Sequence, residues 1–392
     1  MPAHRSRTEH DVVIVGGRVA GAAAALLLAR RGRRVLVVDQ ERPGRDTLST
    51  HALMRAGVVQ LQRWGVLDRV VAAGTPPVHR VTFRYGQRVV PIDVAAPLYA
   101  PRRTVLDRIL VTAAEQAGAR FRFGVRIQDV LRDPRGRVIG VRGRARGGGA
   151  VTATATTTVG ADGRGSVIAR AVDAPVTRSA PAGGAVLYGY WSGVAADGYE
   201  WCFNDGTTGG LIPTNHDQVC VWAGVPRGRS DILRGDREAT LHALLADTAP
   251  DVARRVGAGR RHGSVRGFAG QQPALLRRPW GPGWALVGDA GYYKDPLTSH
   301  GISDALRDAE LLVRELAAVQ AGHAAEADAL SRYEHARDDL SIPFFDTTAR
   351  VASYDWDLDG LQAEHRILSA EMQRETIALT ALDTGLLQPV TA

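Results

Sequence analysis

The 392-residue chain is poor in several residue types, and each shortage excludes a class of protein. Lys294 is the only lysine beside 48 arginines, which are scattered rather than gathered into one basic segment. No zinc-finger spacing or RNP-like motif accompanies the net charge of +8. The charge therefore indicates a compositional bias toward arginine, and we expect no nucleic-acid partner.

Cysteines and long apolar runs are also scarce. Cys202 and Cys220 have no CxxC or metal-ligand spacing, so we expect no metal and no redox pair. The longest apolar run, residues 20–29, is too short to span a bilayer, and the polar start MPAHRSRTEH predicts no signal peptide. These features indicate a cytoplasmic protein without a membrane partner, and they leave its oligomeric state open.

The first forty residues run in the order strand, glycine-rich turn, helix, strand, acid. Asp11–Val15 predicts the first strand, GGRVAG (16–21) the turn, and Val35–Val38 a strand that ends at Asp39. This order predicts a dinucleotide fold, in which a pyrophosphate approaches the helix N-terminus and the acid binds a ribose hydroxyl. The candidate cofactor-binding residues here are Gly16, Gly17, Arg18, Ala20, Gly21, Asp39, Gln40 and Arg45.

Arg18 replaces the usual second glycine of that turn. Its Cβ should hinder close approach of the backbone to the phosphates. The guanidinium could compensate by pairing with a phosphate or reaching toward the rest of the cofactor, or it could point to solvent. The sequence leaves these possibilities open.

The stretch from Ala285 to Leu312 contains a strand, a loop and a helix that begins near Ser299–Gly301. A carboxylate after a strand accepts hydrogen bonds from sugar or ribityl hydroxyls, and a glycine-containing helix start directs N–H groups at an electron-rich ligand. The candidate cofactor-binding residues of this stretch are Gly288, Asp289, Pro296, Gly301 and Ile302.

Two middle segments add candidates. Arg103 opens a helix with apolar residues at Leu106 and Leu110, and Asp162 lies in the turn GADGRGS (160–166). Residues 180–270 predict short antiparallel strands separated by turns. Their aromatic residues could wall a pocket or fill a sheet core.

Together the G-x-R-x-A-G turn, the DTLSTH segment (46–51), R-x-x-L-x-x-x-L (103–110), G-A-D-G-x-x-S and the G-D-A…Pro…Gly stretch resemble the FAD-dependent aromatic hydroxylases of the p-hydroxybenzoate hydroxylase superfamily. The resemblance covers residues 11–320. It implies an α/β fold: a Rossmann-like FAD-binding domain with an inserted antiparallel β-sheet substrate domain and C-terminal helices. The expected boundaries are 1–75, 101–178 and 270–340 for the FAD-binding domain, 76–100 and 179–269 for the substrate domain, and 341–392 for the C-terminal segment.

The resemblance implies a monooxygenase of secondary metabolism that uses FAD, NAD(P)H and O2 to hydroxylate or oxidise a small apolar, ring-containing substrate through a flavin C4a-hydroperoxide. Lys294, His51 and His300 are the candidate catalytic residues, Lys294 as a cation that stabilises reduced flavin. A prenyl-reductase-like reductase or dehydrogenase is the alternative. A halogenase is disfavoured, because Ile212-Pro213 is all that remains of the Trp-x-Trp-x-Ile-Pro motif. A flavin-binding protein without turnover is a further alternative.

Overall fold

The structure, a computed structural model, describes residues 9–47, 49–269 and 272–383. Leu48 of the DTLSTH segment and the N-terminal residues 1–8, on which the signal-peptide prediction rests, lie outside the described residues. So do residues 384–392 of the predicted C-terminal segment.

Ten α-helices occur in the described ranges: α1 (Val19–Arg30), α2 (Arg55–Arg63), α3 (Leu67–Ala72), α4 (Arg103–Gln116), α5 (Val167–Ala171), α6 (Arg237–Thr248), α7 (Pro250–Gly257), α8 (Gly301–Gln320), α9 (Glu326–Ser353) and α10 (Leu358–Thr380). The strands of the same ranges are β1 (His10–Val15), β2 (Val35–Asp39), β3 (Val78–Tyr85), β4 (Arg88–Leu98), β5 (Arg120–Phe123), β6 (Val125–Arg132), β7 (Val138–Ala145), β8 (Ala150–Gly160), β9 (Val176–Ala180), β10 (Ala185–Ser192), β11 (Tyr199–Asn204), β12 (Thr207–Thr214), β13 (Gln218–Val225), β14 (Arg260–Ala269), β15 (Ala274–Arg277), β16 (Trp280–Gly281), β17 (Trp284–Leu286) and β18 (Tyr292–Tyr293).

The first sheet has the strand order β16-β17-β8-β1-β2-β5, and every pair from β17 to β5 is parallel. Parallel strands covered on both faces need near-continuous apolar sequence, which β1 supplies in Val12–Val15. The first part of β8 pairs instead with β7 in the antiparallel β6–β7–β8 meander. The predicted α/β fold with a Rossmann-like sheet is confirmed.

The second sheet has the order β14-β10-β13-β12-β11-β3-β4. Its pairs are antiparallel except β3 with β11, which run parallel. The predicted antiparallel strands of residues 180–270 are confirmed, since all pairs among β10 to β14 are antiparallel. The parallel pairing of β3 with β11 was not predicted, because a hydrophobic period of two does not encode strand direction. A third, three-stranded sheet has the order β18-β15-β9.

Alternation of side chains divides the aromatic residues of the second sheet between its faces. Six of them pack into the same core as α1 and α8: Tyr188, Tyr190, Tyr199, Trp201, Phe203 and Trp222. Trp191 packs on the opposite face with residues of α6 and α7. These two helices were missing from the sequence prediction, although Leu241, Leu244 and Leu245 carry helical spacing.

The C-terminal helices cover the first sheet and the edge of the second. The helix α9 continues through Pro343 to Ser353. Phe344 and Phe345 are therefore buried residues of this helix. In the described part of the chain no helix combines the length and apolar character needed to cross a lipid bilayer. The predicted domain boundaries stay predictions.

Candidate active site

Four parallel strands bring the predicted motifs to one edge of the first sheet. The residue pairs Val38–Val15, Val15–Gly160 and Gly160–Leu286 are in register across neighbouring strands. The carboxyl ends of β2, β1, β8 and β17 therefore lie side by side, and the line spans three strand spacings, about 14 Å. Asp39, the Gly16 turn, Asp162 and Asp289 follow these four strand ends in that order.

A cavity of about 600 Å³ lies along this edge, within the size range of cofactor sites. Its β2 end is lined by Asp39, Gln40 and Arg126, and its α8 end by Asp289, Lys294 and Ile302. Twelve predicted residues line it: Gly16, Arg18, Ala20, Asp39, Gln40, Arg103, Asp162, Asp289, Lys294, Pro296, Gly301 and Ile302. The others lie behind this wall or beside it: Gly17, Gly21, Gly288, Arg45, His51 and His300.

Two positions of the first turn, Gly16 and Gly21, have no room for a side chain. Gly16 has φ 104°, and a Cβ there would lie 2.3 Å from the carbonyl oxygen of Ala161. A Cβ on Gly21 would lie 1.8 Å from the carbonyl oxygen of Gly16. Gly17 has a different part, since its N–H donates to Asp39 Oδ2 at 2.7 Å and fixes that carboxylate.

Arg18 lies on the cavity wall and is the N-cap residue of α1, in an extended conformation. The unpaired N–H groups of the first turn of α1 are therefore beside a guanidinium. This geometry favours phosphate pairing over a solvent-directed side chain, and that role stays a proposal. Arg45 is exposed and pairs with Glu41 at 2.7 Å.

Two further predicted residues are held firmly at the cavity. The guanidinium of Arg103 donates to both oxygens of the buried Asp107, at 2.9 and 3.2 Å. Asp162 accepts hydrogen bonds from Ser166 Oγ and from the backbone N–H of Val167, both at 2.6 Å, and so orders the turn before α5. Burial raises the pKa of Asp162 despite these hydrogen bonds.

At the α8 end, burial raises the pKa of Asp289 to about 6, although the nearby Lys294 ammonium opposes the shift. The loop then turns through Ser299, which has φ 51°, into α8. The N-cap residue of α8, His300, makes no side-chain capping hydrogen bond. N–H groups at this helix start are therefore available to a ligand in the cavity, which Gly301 and Ile302 line.

Behind that helix start lies a group of buried charges, which we call the α8 ion cluster: Lys294, His300, Asp304, Arg307, Asp308 and Glu375. Lys294 and Asp304 also line the cavity and are paired with each other. Lys294 Nζ lies 4.6 Å from the centroid of the Tyr292 ring, within cation–π range. The prediction that Lys294 lies near the cofactor site therefore agrees with the geometry, while its catalytic role stays a prediction.

His51 is fully buried in the left-handed region (φ 68°) and does not line the cavity. Its Nδ1 accepts from Arg103 N–H at 3.2 Å, so its Nε2–H donates to the Tyr190 hydroxyl at 2.5 Å. Burial, with Arg102 and Arg103, holds the pKa of His51 well below its usual value. This neutral ring is therefore hydrogen-bonded at both nitrogens to protein groups, and its catalytic role stays a prediction.

Several cavity residues were not selected from the sequence: Arg126, Arg164, Arg170, Phe268, Tyr293 and Asp295. Arg164 had a signal, because it lies inside the GADGRGS turn, and its guanidinium stacks 4.7 Å from the centroid of Phe268. Asp295 accepts from Leu297 N–H at 2.9 Å, and burial raises its pKa to about 6. Phe268 and Arg126 reach the cavity through sheet pairing, which no local pattern showed.

Comparison with known proteins agrees with this geometry. The family model described as FAD binding domain matches residues 9–345. Phenazine 1,6-dicarboxylic acid hydroxylase PhzS of Lysobacter antibioticus is 27% identical over 417 residues, covering 96% of each chain. Menaquinone reductase of Mycolicibacterium smegmatis is 28% identical, over 78% of this chain and 75% of its own. A triple mutant of the flavin-dependent brominase Bmp2 has the same fold, with a TM-score of 0.82 at 19% identity and 97% coverage of both chains.

The residues present fit FAD. The turn at Gly16 leaves no room for a Cβ, and Arg18 and the start of α1 offer cationic and N–H donors for a pyrophosphate. Asp39 and Asp289 stand at opposite ends of the cavity, where ribose and ribityl hydroxyls need acceptors. FAD is the cofactor, and NAD(P)H is the electron donor typical of these relatives. The chain belongs to the FAD binding domain family, as an FAD-dependent oxidoreductase of the p-hydroxybenzoate hydroxylase superfamily.

Proposed function

We propose that this monooxygenase-family enzyme hydroxylates a small, apolar, ring-containing molecule with O2, using electrons from NAD(P)H. Bound FAD supplies the redox chemistry and the activation of O2. Arg18 and the first turn of α1 would hold its pyrophosphate, and Asp39 its adenosine ribose. Asp289 and the start of α8 would hold the flavin end.

The observation that carries the proposal is the lining of the cavity. Among the described residues that line it, none is a histidine or a cysteine. His51 and His300 are 0% and 2% exposed, and each ring faces protein partners on both nitrogens. A reaction that depends on cofactor placement and exclusion of water needs no such base, because the protein orients the substrate.

The aromatic face of the second sheet is the proposed substrate wall. Tyr188, Trp222, Gly210, Trp201 and Phe83 stand in one row across five strands. Trp222 is 2% exposed and its Nε1–H has no partner among the described residues. An apolar ring with one acceptor atom suits such a wall. The similarity to a phenazine hydroxylase supports a ring-containing substrate.

The same row argues against a halogenase. The two tryptophans of Trp-x-Trp-x-Ile-Pro would align with Thr208 and Gly210. A Cβ on Gly210 would lie 2.1 Å from the carbonyl oxygen of Glu200 and 2.8 Å from Trp222 Nε1. Trp222 therefore occupies the space that a tryptophan at position 210 would need.

A reductase or dehydrogenase is the second candidate, because Asp295 offers a carboxylate at the cavity. Its pKa of about 6 suits a general base near neutral pH. The relative named menaquinone reductase supports this alternative. Under it, Asp295→Asn would abolish turnover, whereas hydroxylation would retain a measurable rate.

The test uses the purified holoenzyme with NAD(P)H and two first probes, phenazine-1,6-dicarboxylic acid and a menaquinone analogue. Substrate-stimulated NAD(P)H oxidation that requires O2 supports hydroxylation. Equal turnover without O2, with the quinone or a dye as electron acceptor, contradicts it and supports the reductase. We also propose a cytoplasmic location, supported by two buried unpaired thiols, Cys202 and Cys220.

A further inference from the structure

The α8 ion cluster joins the C-terminal helix α10 to the wall of the cavity. Its six side chains come from the loop at Lys294, from α8 and from Glu375 on α10, and none is more than 7% exposed. Arg307 Nη1 donates to Asp304 Oδ1 at 3.0 Å and to Glu375 Oε1 at 2.9 Å. Arg307 thus connects a carboxylate on the cavity wall with a carboxylate far away in sequence.

His300 lies between the same two carboxylates. Its Nδ1 is 3.0 Å from Asp304 Oδ1, and its Nε2 is 3.0 Å from Glu375 Oε2, the second contact without the alignment of a directed hydrogen bond. A neutral imidazole would place a lone pair against one of these anions, whereas an imidazolium presents N–H groups to both. The ring also lies 4.5 Å, between centroids, from Phe344 on α9.

The charges of the cluster balance when His300 is protonated. Lys294, His300 and Arg307 then face Asp304, Asp308 and Glu375, three cations against three carboxylates. Arg337, a further buried cation, pairs with its neighbour Asp338. Removing one member of a buried ionic group leaves another charge uncompensated, so the members depend on one another.

We propose that His300 carries its proton in the folded enzyme, and that Glu375 is a positioning residue that holds His300, Asp304 and Lys294 in place at the flavin end of the cavity. This proposal rests on bound FAD and is independent of the hydroxylation reaction. The pKa directions agree with the geometry. Burial opposes the charge on His300, but Glu375 and Asp304 outweigh burial and raise its pKa. Burial likewise opposes ionisation of Asp304, but Lys294, His300 and Arg307 hold its pKa far below the usual value.

A metal ion is the competing explanation for this group of ligand-type side chains. His300, Asp304 and Glu375 offer atoms within 4.8 Å of one another. Lys294 and Arg307, however, already donate to both carboxylate oxygens of Asp304, and Arg307 also donates to Oε1 of Glu375. The charges are satisfied by side chains, and we expect none of the common divalent metals in the purified protein.

The test is the midpoint potential of FAD in the holoenzyme, measured without substrate. His300→Gln leaves the cluster with a net charge of −1, so the potential falls, and reduced FAD binds on the order of tenfold more weakly relative to oxidised FAD. Glu375→Gln alone does not lower the potential. The double variant restores the balance and returns the potential toward wild type. A merely structural role predicts that the double variant deviates at least as far as His300→Gln.

Glu310→Gln is the matched control. Glu310 is a fully buried carboxylate on α8 that pairs with Arg63 and Arg314, about 9 Å along the helix from Asp304. Glu310→Gln removes a buried ion pair that lies away from the flavin end of the cavity. The midpoint potential of FAD in this variant should match that of wild type.

If His300→Gln fails to retain FAD, the pH dependence of Glu375→Gln decides. Its potential should show the break at which His300 loses its proton at a lower pH than in wild type. A curve parallel to wild type overturns the proposal, as does stoichiometric metal in the wild-type protein.

Discussion

At the β2 end the cavity is built on a backbone turn that binds the carboxylate of Asp39, whereas at the α8 end it is supported by buried charges from distant segments. Gly16, Gly17 and Asp39 belong to one strand–turn–helix–strand unit and contact one another directly. Lys294, Asp304 and Glu375 come from a loop and two helices. The first arrangement provides binding through local geometry, and the second provides an electric field through tertiary packing. Cofactor affinity and cofactor reactivity should therefore respond to different substitutions.

The largest effect is expected at the β2 end. Gly21→Val places a Cβ against the carbonyl oxygen of Gly16, separates the turn from α1 and should weaken FAD binding by at least about 100-fold. Gly17→Ala is the control, because a Cβ there meets the nearest atoms at 3.5 Å, an ordinary contact. FAD retention through gel filtration measures both. Equal loss in the two variants would show that the turn tolerates no change, rather than that Gly21 is specifically required.

At the α8 end the expected effect is on rate rather than affinity. Lys294→Met removes the cation beside Asp304 and should slow flavin reduction by NAD(P)H about tenfold, as expected for the loss of one nearby charge. Lys294→Arg keeps the charge with a planar group and should fall between Met and wild type. Stopped-flow reduction measures both, with Arg126→Met at the β2 end as a control. Wild-type rates in both Lys294 variants would remove Lys294 from the mechanism.

The pH dependence of stability tests the proton of His300 at the α8 end. Because the folded pKa of His300 lies above its unfolded value of about 6.5, its stabilisation is complete below that pH and is lost as pH rises through the folded pKa. The free energy of unfolding should fall across that interval by about 1.4 kcal/mol for each pH unit between the unfolded and the folded pKa. Glu375→Gln should lower the pKa of His300 in the folded protein. The fall in the free energy of unfolding should therefore end at a lower pH than in wild type. Urea unfolding between pH 6 and 9, conditions set by the reference value of about 6.5, gives the curves. Identical curves for the variant and wild type would mean that Glu375 does not hold the His300 proton.

The smallest effect is expected at the aromatic face. Trp222→Phe keeps a ring on the wall but removes the buried Nε1–H that has no partner among the described residues. If this N–H donates to the substrate, the variant loses the binding energy of one hydrogen bond. KM should then rise about tenfold while kcat stays unchanged. An unchanged KM would place the substrate elsewhere.

The β2 end was predictable and the α8 end only partly, for a physical reason. The contacts of the turn GGRVAG and of Asp39 are made within one continuous segment of sequence. The parallel sheet, the glycine-rich turn and the FAD cofactor could therefore be predicted from that segment. The position of Lys294 followed from its motif, but its link to Glu375 depends on how α10 docks, which no pattern in the sequence shows. The same limit explains why α6, α7 and the parallel pairing of β3 with β11 were not predicted, since pairing and packing between distant segments are not periodic features. The hydrogen bonds of His51 to Arg103 and Tyr190 were not predictable either, and its catalytic role stays a prediction.

The most direct test of hydroxylation follows isotopically labelled O2 into the product of the holoenzyme with NAD(P)H and a turned-over substrate. We expect one labelled oxygen atom in each product molecule, with one NAD(P)H consumed for each. Product without label, formed at the same rate in the absence of O2, would contradict the monooxygenase assignment and make this enzyme a reductase or dehydrogenase.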